Sequence, residues 1–78
     1  MTDGGRKLRN VRATEAIRAF ERLGYRVVGA KGSHRRLRHP VKGQIVIPVH
    51  KGAVKVRVTI MDALKKTNIG IEEFERFL

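Results

Sequence analysis

The run Lys31-Gly32-Ser33-His34-Arg35-Arg36-Leu37-Arg38-His39-Pro40 carries the side chains best suited to chemistry on a phosphate. An imidazole changes its charge near neutral pH, and guanidinium groups hold phosphate oxygens through charge-assisted hydrogen bonds. If the run is extended, successive side chains alternate between two faces. His34, Arg36 and Arg38 then share one face, and Arg35, Leu37 and His39 share the other. Leu37 is the only apolar member, so its face turns to a core and the His34 face turns to solvent. A group so placed takes up a proton and later returns it, as a ribonuclease needs when a 2′-hydroxyl attacks phosphorus. Three readings of His34 stay open on the residues alone: an acid–base catalyst, one member of a phosphate-binding face, or a polar residue beside a turn.

Gly32 suits either a close approach of backbone to ligand or a tight turn, and the Ser33 hydroxyl is a donor for a phosphate oxygen. Lys31 and Lys51 extend the basic surface on either side. His39 precedes a proline and reads as structural. His50 shares parity with Val46 and Pro48, so a place near the open face stands beside a loop role.

The bulk composition supports a polyanionic partner. Eighteen Lys and Arg against seven Asp and Glu give a formal net charge of +11 over 78 residues. A field of that size attracts nucleic acid over roughly a Debye length, about 10 Å at 0.1 M salt. The basic residues are not gathered on one amphipathic helix, which argues against a membrane surface. With no cysteine, neither a disulfide framework nor a thiolate metal site is available. The three histidines and seven carboxylates show no metal-ligand spacing, so no metal and no cofactor are expected. Apolar runs of only a few residues leave no membrane span and no secretory signal, and the cytoplasm is the expected compartment.

The elements that must position these groups follow from periodicity. Residues 1–12 are polar, glycine-containing and largely non-periodic, and read as a flexible basic arm ahead of a single domain over 13–78. Ala13, Ala16, Ile17, Phe20 and Leu23 form one helical stripe, closed by Gly24. Three strands are expected at Tyr25–Gly29, His34–His39 and Gln44–Val49, joined by turns at Lys31-Gly32 and over the "PVKG" segment. The stretch "HKGAVKVR" reads as a basic loop, and a second helix begins near Thr59, with Thr59 and Asp62 at capping-box spacing. Ile60, Ala63 and Leu64 are its buried stripe, and Thr67-Asn68 ends it. Ile71, Phe74, Phe77 and Leu78 make a short closing helix or turn. The result is an α+β fold of order α-β-β-β-α with a short C-terminal helix. Its helices cover one face of a three-stranded antiparallel sheet.

In order and spacing these pieces resemble the HicA (YcfA-like) toxin family of bacterial and archaeal toxin–antitoxin modules. The marks are Leu23-Gly24-Tyr25, Lys31-Gly32-Ser33-His34, His39-Pro40, Ile47-Pro48 with His50, Thr59-Ile60 with Leu64, and Glu72-Glu73-Phe74. The resemblance covers Ala13 to Phe77. It implies a fold like the double-stranded-RNA-binding domain and an mRNA interferase that cuts without metal through one histidine, which aligns with His34. It also implies a HicB-type antitoxin protein as partner. The RNA-binding set is then Lys31, Gly32, Ser33, Arg36, Arg38 and Lys51, and the free chain is expected to be a monomer. This sequence departs from the family pattern at Val58, where a glycine usually precedes the helix threonine, at the later hairpin glycine Gly43, and in "KVRVT", which bears on Lys55 and Arg57. The competing reading is a non-catalytic RNA-binding module on the same fold. A DNA-binding repressor is disfavoured, because the most basic segment is a strand and no helix-turn-helix is evident.

Overall fold

The computed structural model describes residues 7–8, 11–49 and 53–78, with residues 53–55 by their backbone alone. Its elements are α1 (Ala13–Arg22), β1 (Arg26–Lys31), β2 (His34–His39), β3 (Gly43–Pro48), α2 (Ala53–Thr67) and α3 (Ile71–Glu75). The sheet is antiparallel in the order β1-β2-β3, with the helices on one face, as the sequence predicts.

The start of α1 is fixed by the Arg12 amide, which donates to the Glu15 carboxylate at 2.9 Å. A glutamate at the third helical position satisfies a backbone donor that the helix itself leaves open. Ala16, Ala19 and Phe20 lose all contact with water. The two small residues let the helix lie close to its neighbours, while Phe20 fills the space between elements. Its ring sits 5.3 Å from Tyr25 in an edge-to-face arrangement and 4.7 Å from Phe74. This cluster joins α1 to the entry of β1 and to α3. Leu37, Ile45 and Ile47 supply the sheet side of the core, and Val56, Ile60, Ala63 and Leu64 the α2 side. Leu8 and Val11, from the stretch read as an arm, also belong to the core, and the Leu8 amide donates to Glu75 at 2.9 Å.

Two boundaries differ from the sequence reading. Helix α2 begins at Ala53, so the end of the expected basic loop is helical and Thr59 lies inside the helix, not at its cap. Among the described side chains the buried stripe runs through Val56, Ile60, Ala63, Leu64 and Thr67, at helical spacing. Val58 hides this period, because it is apolar yet 53% exposed. The first hairpin is also tighter than expected. Lys31 is the last residue of β1 and pairs with His34, which leaves Gly32-Ser33 as the two-residue turn. Gly32 has φ +58, and Ser33 is not left-handed, a pattern that matches a type II′ turn. A Cβ at Gly32 would meet nothing within 4 Å, so here the glycine is required by conformation, not by space. Among the described residues no helix is long and apolar enough to cross a membrane.

Candidate functional site

The pairing register fixes what the uncovered sheet face presents. Residues directly opposite in an antiparallel pair point the same way. Three cross-strand rows result: Lys31, His34 and Pro48; Gly29, Arg36 and Val46; and Arg26, Arg38 and Gln44. The parity argument holds. His34, Arg36 and Arg38 are exposed, Leu37 is fully buried, and Arg35 and His39 are half-buried on the helix side.

His34 is the first residue of β2, directly after the Gly32-Ser33 turn. Two bonds pin that turn. The Val49 amide donates to the Ser33 carbonyl at 2.7 Å, tying the turn to the end of β3. An Arg35 guanidinium nitrogen donates to the Gly32 carbonyl at 2.8 Å. The backbone that carries His34 is thus held from both sides. An imidazole so mounted, with the Lys31 ammonium opposite and the Arg36 guanidinium two residues along its own strand, has what phosphate binding and proton transfer require.

Arg36 has its own support. An ideal Cβ built on Gly29 would overlap the Arg36 guanidinium, with Nε at 2.9 Å. The arginine side chain therefore lies across β1 at the one position that has no side chain of its own. A strand glycine often marks such a close approach.

The described residues hold most of the expected set. Lys31, Gly32, Ser33, His34 and Arg36 cluster at one end of the open face, and Arg38 lies on the same face four residues along β2. Lys51 and His50 lie outside the described residues. His39 is structural: its Nδ1 accepts from the Val41 and Lys42 amides, both at 3.0 Å, and its ring lies 5.0 Å from Tyr25. The second hairpin is further anchored where Lys42 Nζ donates to the Thr67 carbonyl at the end of α2, 3.0 Å away. Beneath this hairpin the Tyr25 hydroxyl is buried toward Thr67 without a hydrogen bond of good geometry. The Thr67 hydroxyl donates instead to the Ala63 carbonyl at 2.8 Å. Burial raises the Tyr25 pKa above 10.0, and the nearby Thr67 hydroxyl offsets part of that rise. No three His, Cys, Asp or Glu side chains among the described residues are grouped to hold a metal ion.

Arg35 and Gly29 went unnoticed in the sequence. The glycine left a signal, as an isolated glycine directly after Val27-Val28. Arg35 left none, because its parity assigns it to the core side and only its length lets it reach back to the turn.

Against known proteins, residues 13–69 match the family model described as the HicA toxin of bacterial toxin–antitoxin. No curated protein matches the chain.

Proposed function

The chain belongs to the HicA toxin family, and from that premise we propose that it is the ribonuclease of a toxin–antitoxin module, cutting mRNA with His34 and without a metal. Membership alone makes it an RNase-type toxin; the substrate, the metal independence and the residue roles are the proposal. One observation carries it: His34 stands exposed at the end of a basic, uncovered sheet face, on a turn pinned by Val49 and Arg35.

RNA lies across the open face with phosphates against Lys31, Arg36 and Arg38, and Lys51 is the further cation that the sequence offers for a phosphate. His34 removes the proton from the 2′-hydroxyl. The 2′-oxygen then bonds to phosphorus, and the bond to the 5′-oxygen breaks. That oxygen leaves with a proton from His34 or from water. The products are a 2′,3′-cyclic phosphate and a free 5′-hydroxyl. Lys31 and Arg36 offset the charge that builds on the phosphorus oxygens, and the Ser33 hydroxyl donates to one of them. In the cell, a HicB-type antitoxin protein covers this face and holds the toxin inactive in the cytoplasm.

The test is the chemistry of the ends. Long RNA incubated with the purified protein in excess chelator is expected to yield fragments with cyclic phosphate and 5′-hydroxyl termini. Fragments with 5′-phosphate termini, or cleavage that stops on chelation, would overturn the mechanism. Binding without any cleavage would favour the non-catalytic RNA-binding module.

A further inference from the structure

At the end of the open face away from His34, Arg38, already a phosphate contact in that reading, has a neighbour to which the reading gives no role. Arg26 at the start of β1 stands directly opposite Arg38 on β2. Like charges in directly opposed positions destabilise a sheet. Neither guanidinium meets a carboxylate among the described residues. The two border a cleft completed by Val28, His39, Pro40, Val41 and Gly43, and no acidic side chain lines it. Val28 is 45% exposed and Val41 85%, so apolar surface stands in water beside two cations.

We infer that this cleft is a second RNA subsite, which holds a nucleotide several positions away from the one that is cut. The inference rests on the ribonuclease reading for its polarity, since His34 defines the cut. The geometry explains the rest. Arg38 lies four residues along β2 from His34, about 13 Å at the rise of an extended strand. A fully stacked strand advances ~3.4 Å per nucleotide along its axis, so that span covers at most about four nucleotides, and fewer where the bases unstack. The paired guanidinium groups neutralise phosphates, and a guanidinium plane is also a surface on which an unstacked base lies. Phe20, Tyr25 and Phe74 are buried and Phe77 is packed against the core, so no aromatic ring is free for that task. Val28 and Val41 supply the apolar edge of the cleft instead. The two cations and the apolar edge together fit an RNA strand that places a phosphate and an unstacked base in one cleft.

The test separates the cleft from the cut. In the His34→Ala background, binding is measured for a two-nucleotide and an eight-nucleotide RNA across a salt series, and for a polyglutamate peptide. Adding Arg26→Ala is expected to weaken the long RNA about fivefold and to lower its log–log salt slope by about 0.7. The short RNA should not change. Arg26→Lys should keep the slope, since it keeps the charge. Equal loss on both RNAs, loss on neither, or an equal loss for polyglutamate would overturn the inference. If the length effect is present but the parent protein cuts no RNA, the His34 chemistry fails and the subsite stands. If the parent cuts and the length effect is missing, the subsite alone fails.

Discussion

The Arg36 guanidinium lies over Gly29, where any Cβ would overlap it. A cation on an exposed strand usually samples many rotamers, and the ordering entropy must be met on binding. Here the neighbouring strand leaves a gap that fits the side chain, so Arg36 is directed toward the row next to His34 before a ligand arrives.

Gly29→Ala should therefore act on binding and not on folding. The new methyl displaces the far end of a flexible side chain, so stability should stay within about 1 kcal/mol of the parent. RNA affinity should fall by a few-fold, in the direction of Arg36→Ala. Thermal melts and RNA titrations of both variants check this, and unchanged affinity in Gly29→Ala would show that the gap does not direct Arg36.

Arg35 acts on the turn through the Gly32 carbonyl. Arg35→Ala removes the 2.8 Å bond to the Gly32 carbonyl and a longer one, 3.5 Å, to the His34 carbonyl, costing about 1 kcal/mol, and loosens the backbone that carries His34. Faster amide exchange at Ser33 and His34 is expected, together with a fall in kcat at nearly constant KM. Arg35→Lys should restore part of the exchange protection. A fall in KM-dependent binding alone would instead mark Arg35 as a phosphate contact.

The two histidines on β2 should separate cleanly. His39→Ala removes the acceptor for two backbone amides and the ring packed on Tyr25, and should cost about 2 kcal/mol. His34→Ala should leave the melting temperature nearly unchanged, because the side chain is exposed. Thermal denaturation of the two variants side by side decides this.

Tyr25 gives the pH dependence. Its folded-state pKa is raised by burial, so the folded chain retains the phenol proton at a pH where the unfolded chain has lost it. The stabilisation that depends on the neutral phenol is fully present below the unfolded value, near 10, and is lost as pH rises beyond it. Tyr25→Phe removes a buried hydroxyl that lacks a good partner, and should be neutral or stabilising at pH 7. Above pH 10 the variant should lose less stability than the parent. Denaturant midpoints at pH 7 and above pH 10 provide the comparison.

Much of this arrangement is legible in the sequence, for identifiable reasons. Leu37 alone among charged neighbours fixes the facing of β2, and with it the exposure of His34, Arg36 and Arg38. The apolar stripe from Ala13 to Phe20 fixes α1 in the same way. The start of α2 is not legible, because exposed Val58 blurs the stripe to which Val56 and Ile60 belong. Leu8 and Val11 are two isolated apolar residues without a period, yet both pack into the core. The Arg26–Arg38 pairing depends on register across a bulge between Val27 and Gly29, and pattern along a single strand does not carry that information.

The most direct test of the central claim is cleavage of a long RNA, in excess chelator, by the parent and by His34→Ala, both first shown to be folded. Catalysis at His34 requires fragments from the parent and intact RNA from the variant, which still binds it. Intact RNA from the folded parent, or fragments from His34→Ala at the parent's rate, would contradict it.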